Sequence, residues 1–298
     1  MATGGFRFPK IEYTQELKDL QAEVRHFLAD ERASGGFTPV ADGWAFGVDL
    51  EFSRKLGAKG WLGMTWPKQY GGHERSSMER YVVTEELLAA GAPVSAHWVA
   101  DRQSGPMLLK NGTEAQKLEI LPRIAAGECY FAIGMSEPDS GSDLASLRTT
   151  ATKVDGGYKI NGRKIWSSGA HFCHYMIATV RTGGARDDKN RHEGLSQFLV
   201  DLKGPGIEIR GIRNMAGDVH FNETVFDDAF VPEDCLLGEE GEGWHQVTSE
   251  LGLERSGPER FLSSAITLTE AARRIGPTPD DAQALGLGRV TARLKAIR

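Results

Sequence analysis

Residues 131–168, FAIGMSEPDSGSDLASLRTTATKVDGGYKINGRKIWSS, constrain the fold more than any other stretch, because a strand runs straight into a loop of small residues and further strand-forming runs follow. Ile133 to Pro138 reads as a strand ending in a turn. Asp139-Ser140-Gly141-Ser142-Asp143 reads as a loop whose backbone N–H groups and hydroxyls can face phosphate oxygens. Tyr158 to Trp166 sets Asn161-Gly162 between two strand-forming runs, which predicts a hairpin turning at Asn-Gly and a second strand that delivers Trp166, Ser167 and Ser168 together. The whole suits a flat, polyanionic ligand. Each part alone has a plainer reading: a Ser-rich turn is usually only a turn, and a lone Trp at a strand end is usually core.

In its ordered motifs the chain resembles the acyl-CoA dehydrogenases, FAD-dependent enzymes that desaturate acyl thioesters. The motifs are GWLGMTWP before Tyr70-Gly71-Gly72, NGTEAQK from Asn111, MSEPDSGSD from Met135, IWSS from Ile165, Val231-Pro232-Glu233, and LGEEGEGW ending at Trp244. The resemblance implies that the segment matching MSEPDSGSD touches the flavin and its pyrophosphate, and that IWSS sets an aromatic ring against the flavin and a hydroxyl near its N5. The implied flavin contacts are Ile133, Met135, Ser136, Gly141, Ser142, Trp166, Ser167 and Ser168. It also implies non-covalent FAD, an acyl-CoA substrate touched by Ser142, Gly252, Leu253 and Arg255, and electrons passed to an electron-transfer flavoprotein. A homo- or hetero-oligomer follows as well, a tetramer or an α2β2 assembly.

The fold class expected is α+β: an N-terminal helical domain over 1–128, a central antiparallel β-domain over 129–237, and the start of a C-terminal helical bundle over 238–298. Leu17, Leu20, Val24 and Leu28 share a helical face after an N-cap at Thr14. Val48 to Lys59 and Ser76 to Ala90 read as further helices, each stopped by a glycine. Val94 to Lys110 reads as an interior helix interrupted near Gly105-Pro106, and Thr113 with Gln116 as a capping box. Trp61, Trp66, His97 and Trp98 read as packed residues. From Thr149 to Pro232, short β-branched and aromatic runs alternate with glycine-bearing turns, which predicts the antiparallel sheet. Gly183 to Gly194 reads as a solvated loop tip.

The formal charge of −6 argues against a nucleic-acid surface. Three cysteines, Cys129, Cys173 and Cys235, lie far apart without CxxC spacing, so no disulfide framework or zinc site is expected and a reducing cytoplasm fits. His171 and His174 flank Cys173 but lack a carboxylate at ligand spacing, so no metal is expected. No apolar run approaches a membrane span, and the first residues carry no signal-peptide core.

The family's chemistry needs a carboxylate base near the substrate α-carbon, its pKa lifted by an apolar pocket, and hydrogen bonds that polarise the thioester carbonyl. In the family that base is a Glu either late in the C-terminal bundle or on its first long helix beside an Arg. The resemblance places the early position at Glu254, with Glu259 as the competing carboxylate. On one helix, five residues turn the two roughly 140° apart, so only one can serve. As surface residues, both would be ordinary solvated Glu-Arg pairs. The residues after Gly238 are about half what a four-helix bundle needs, and Val290, Leu294 and Ile297 form an apolar face with no stop signal, so a C-terminally truncated chain that retains little FAD alone is expected. An acyl-CoA oxidase or other flavoenzyme of the same fold, and a non-catalytic partner subunit of a heteromeric dehydrogenase, stand as alternatives.

Overall fold

The computed structural model describes residues 12–183, 191–254 and 257–297. Helix α1, Gln15–Ala33, starts where the Thr14 side chain accepts the Leu17 N–H, and it buries Leu20, Val24 and Leu28, the row that the spacing predicts. A short α2, Gly43–Phe46, precedes α3, Leu50–Ala58. Helix α4, Ser77–Ala89, opens on a capping box between Ser76 and Glu79. Helix α5, Ser95–Val99, continues through a π-helical turn, Ala100–Ser104, into α6, Gly105–Asn111. The interruption expected at Gly105-Pro106 is therefore a widened turn: Pro106 lacks an N–H and its ring crowds the carbonyl four residues back, and the π turn absorbs both without breaking the helix. Helix α7, Glu114–Ala125, carries the Thr113–Gln116 capping box. Trp61, Leu62 and Met64, from the glycine-rich loop, fill the core between α1, α3 and α4.

Eight strands among the described residues form one sheet. They are β1 Phe131–Gly134, β2 Thr150–Val154, β3 Gly157–Ser168, β4 Tyr175–Arg181, β5 Leu195–Asp201, β6 Ile207–Arg213, β7 Val219–Pro232 and β8 Leu236–Leu237. The spatial order is β6-β7-β3-β2-β4-β5-β8, with β1 beside β4. The pairing is antiparallel as expected, apart from β1, which runs parallel to β4, and a single parallel pairing of β2 with β4. β1 arrives from α7 rather than from a hairpin, so nothing forces it to reverse.

The hairpin turn expected at Asn161-Gly162 is not there. β3 runs through it, and the turn from β2 is Asp155-Gly156, between the paired Val154 and Gly157. Asn161-Gly162 instead forms an irregularity against β7, where the register shifts between Ile160 and Gly162. The Asn161 side chain accepts the Asp228 N–H at 2.9 Å, and Asp228 is itself in the left-handed region at φ 49°. Both dipeptides are strong turn signals, and partner strand β7 decides between them.

Four helices follow the sheet: α8 Gly243–Glu254, α9 Glu259–Leu262, α10 Ala265–Ile275 and α11 Asp281–Ile297. Glu254 and Glu259 do not share a helix, because Gly257 at φ 145° and Pro258 separate α8 from α9. The expected angle between the two carboxylates therefore does not apply. Leu294 of α11 packs on the N-terminal core, while Val290 is exposed. The Ile297 side chain lies outside the described residues. No helix among the described residues is long and apolar enough to cross a membrane.

His97 is packed, as its apolar setting predicts. The Ser53 hydroxyl gives its one proton to the Asp49 carbonyl at 2.9 Å, so the 2.8 Å contact with His97 Nδ1 is donated by the imidazole. Burial pushes the His97 pKa from 6.5 down to about 4, with Asp101 pulling the other way. The unfolded chain thus protonates first, so this stability is full above about 6.5 and is lost as pH falls toward 4. The loss is on the order of 3 kcal/mol. His97→Gln should therefore show a shallower fall in Tm over that pH window than the parent chain, and equal slopes contradict the assignment.

Candidate functional site

A cleft of about 590 Å³ opens between the helices and the sheet. Ile133 at the end of β1 forms part of its floor, followed by Met135 and Ser136 and then by Gly141 and Ser142 from the small-residue loop. Trp166 and Ser168 enter from the end of β3. Seven of the eight implied flavin contacts thus line one cleft, and Ser167 does not. The Ser167 side chain is buried behind the cleft wall, and its carbonyl accepts the Asn222 amide at 3.0 Å.

A bulge in β3 accounts for that division. Lys164 pairs with Thr224 and Ser167 with Asn222, so β3 spends one residue more than β7 over this step. In a regular strand Lys164, Trp166 and Ser168 would share a face. The extra residue flips the phase: Lys164 and Ser167 point inward, while Ile165, Trp166 and Ser168 reach the cleft. Trp166 takes φ 62°, a conformation that is rare for a bulky side chain and costs on the order of 1–3 kcal/mol. Its indole is held edge-on to Phe221, with ring centroids 5.8 Å apart.

Behind this wall lies a charged pair. Lys164 is fully buried, and its ammonium donates to Glu137 at 2.9 Å and to the Met135 carbonyl at 3.0 Å. The Glu137 carboxylate also accepts the backbone N–H groups of Arg148 at 2.7 Å and Thr149 at 2.9 Å. Burial pushes Lys164 down to about 8 against the pull of Glu137. Burial works to raise Glu137, but Lys164 and the donors from Thr149 and Arg148 outweigh it and hold the carboxyl below its usual range.

Helix α8 supplies Trp244, Val247, Thr248 and Leu251 to the opposite wall. Position 254 follows Val247 by seven residues, about 700° of turn, so the two lie within roughly 20° on the helix. Glu254 is the last residue of α8, but its side chain, like that of Leu253 and all of Arg255, lies outside the described residues. Gly252 is exposed and does not line the cleft. Glu259 is buried 3.7 Å from Arg102, whose guanidinium lies 4.6 Å over the Trp98 ring, so it sits behind the cleft wall. A third carboxylate, which no sequence motif marks, is Glu250, buried on α8 and accepting the Gln197 amide at 3.0 Å.

No sequence motif marks the aromatic end of the cleft, where Trp44 and Phe46 of α2 meet Phe172, His220 and Trp98, which is packed as expected but also lines the cleft. The described part of the loop expected to be a solvated tip is anchored: Arg191 pairs with Asp143, and His192 stacks on Trp244 at 3.9 Å. His174 Nδ1 accepts the Tyr130 N–H at 3.2 Å, and His171 contacts Asn222 at 3.1 Å. Among the described residues no three His, Cys, Asp or Glu gather as metal ligands.

Residues 14–128 match the acyl-CoA dehydrogenase N-terminal domain and residues 132–229 the acyl-CoA dehydrogenase middle domain. Acyl-CoA dehydrogenase IpdE1 of Mycobacterium tuberculosis is 34% identical over 297 residues, covering 95% of this chain and 76% of that one. The chain belongs to the acyl-CoA dehydrogenase family. Acyl-CoA dehydrogenase FadE26 of the same organism is 36% identical over 250 residues, 83% of this chain but 62% of FadE26, so the chain spans less than two thirds of that relative. The Tcur3481-Tcur3483 steroid ACAD superposes with a TM-score of 0.79 at 32% identity, over 96% of this chain and 74% of that one. The family's FAD fits the residues present. The cleft pairs apolar surface from Ile133, Met135 and Ile165 with an indole and with the hydroxyls of Ser136, Ser142 and Ser168. The buried Trp44 Nε1 has no partner, and the space where a Cβ would stand on Gly141 is open.

Proposed function

We propose that the chain carries the cofactor and substrate cleft of an FAD-dependent enzyme that desaturates an acyl-CoA thioester between its α- and β-carbons, passing electrons to an electron-transfer flavoprotein. The observation that carries this reading is the convergence of Ile133, Met135, Ser136, Gly141, Ser142, Trp166 and Ser168 on one cleft, although they come from three separate segments. Ser136, Gly141 and Ser142 would hold the anionic side of the cofactor, Trp166 would pack on its ring, and the Ser168 hydroxyl would hydrogen-bond it. Bound FAD supplies a hydride acceptor for the substrate β-carbon. Glu254 takes the α-proton, and Val247 and Leu251, two turns and one turn before it on α8, give the cleft an apolar wall.

Trp44, Phe46, Trp98 and Phe172 favour a bulky, ring-bearing acyl group over a short straight chain, in keeping with the steroid ACAD that this chain resembles. FAD titration followed by flavin fluorescence tests the cofactor reading directly. Trp166→Ala should weaken FAD binding by about tenfold or more, since it removes an aromatic contact face. Ser168→Ala should leave binding within a few-fold and shift the flavin's reduction potential and spectrum instead, because one hydrogen bond is worth about 0.5–1.5 kcal/mol net. Wild-type spectra and affinities in both variants refute a flavin against this segment.

A further inference from the structure

We propose that Lys164 is a positioning residue: through Met135 and Glu137 it fixes the cleft wall made by residues 135–149 and turns the Ser136 N–H into the cleft. The cofactor part of this proposal rests on the flavin reading above.

The Met135 carbonyl points at the buried Lys164 ammonium, 3.0 Å away, and every described peptide bond is trans. Across a trans peptide the N–H points opposite to the carbonyl. The Ser136 N–H therefore points away from Lys164, which does not line the cleft, toward the side that does. The next carbonyl, that of Ser136, is also occupied from behind, by the Ile165 N–H at 2.9 Å. Both peptides are thus held from the sheet side. Gly134 lets β1 approach Met176 closely, since a Cβ there would lie 2.4 Å from its Sδ.

The same ammonium governs the far end of the loop. The Glu137 backbone pairs with Ser140 at the loop's start, and its side chain takes the N–H groups of Arg148 and Thr149 at the end. Met135, Ser136, Gly141, Ser142 and Leu144 all line the cleft from within or beside that closure. A carboxylate buried so deeply needs a counter-charge, and Lys164 supplies it. A buried ion pair is a poor device for stability, because apolar residues of similar volume are often as stable or more so. Here the pair supplies geometry, with three backbone groups on one strand-loop-strand unit held by two side chains.

The test compares the full 298-residue chain with Lys164→Met and with the double variant Lys164→Met/Glu137→Leu. Hydrogen exchange is read without ligand over residues 135–149, alongside Tm and the FAD dissociation constant. The double variant, which leaves no unpaired buried charge, should keep a cooperative transition. Its exchange over 135–149 should rise, and FAD should bind about tenfold or more weakly, as befits the loss of one or two hydrogen bonds that aim the wall. Wild-type exchange and affinity in the double variant overturn the proposal. So does a global loss of protection, which makes the pair structural only. If the parent chain alone binds too little FAD to titrate, the affinity arm falls away, and the ligand-free exchange comparison still decides the role of Lys164.

Discussion

Replacing Glu254 by Gln is expected to slow flavin reduction by an acyl-CoA by about 10²–10⁴-fold, the range a positioned general base contributes. Gln keeps the shape and loses the basicity, so the acyl-CoA dissociation constant should change by no more than a few-fold. A rate loss without a binding loss is the signature of a group that acts in the transition state. Single-turnover reduction under anaerobic conditions reads the rate, and ligand-induced change in the flavin spectrum reads binding. Glu250→Gln is the informative comparison, since that carboxylate lies one turn earlier on α8 and is already engaged by Gln197. It should reduce at close to the parent rate. Full-rate reduction by Glu254→Gln, with loss in Glu250→Gln, moves the base to position 250.

Gly162→Ala is expected to be strongly destabilising. Gly162 has φ 139°, and a Cβ there would stand 2.6 Å from Thr149 Oγ1 and 2.7 Å from Thr149 Cα. Backbone strain and overpacking each cost on the order of 1–3 kcal/mol, so a Tm loss on the order of 10 °C is expected for a chain of this size. The damage should reach the cleft, because Thr149 donates its N–H to Glu137. Gly141→Ala is the matched control: no atom lies within 4 Å of the position a Cβ would take, and its Tm should stay within about 1 °C, as for most open surface sites. Equal Tm values for the two variants contradict the role given to Gly162.

Much of the fold was legible because it is written in local terms. The Thr14 cap, the Thr113–Gln116 capping box and the Leu20, Val24, Leu28 row depend on residues within two turns of one another. The Asn161-Gly162 turn is misplaced because two turn signals stand six residues apart, and only pairing with β7 decides which one bends the chain. The same limit hid the bulge that separates Ser167 from Trp166: alternation along a strand is readable, but an extra residue is visible only against a partner. The cleft's composition was readable where motifs cluster, at Met135–Ser142 and Trp166–Ser168. It was not readable at Trp44, Phe46, Phe172 and His220, which meet only when the helices dock on the sheet. Lys164 and Glu137 are the sharpest case. By residue type both belong on a surface, and their burial follows from the bulge and from the loop that closes over them.

On the proposed reading, this cleft holds a flavin that acyl-CoA thioesters reduce. Anaerobic mixing of the FAD-loaded protein with a panel of acyl-CoAs, from short straight chains to ring-bearing acyl groups, tests it most directly. Bleaching of the flavin's long-wavelength band is expected, fastest with the bulky acyl groups and suppressed in Glu254→Gln. FAD bound tightly but left oxidised by every thioester, or bleaching unaffected by Glu254→Gln and Trp166→Ala alike, would contradict it.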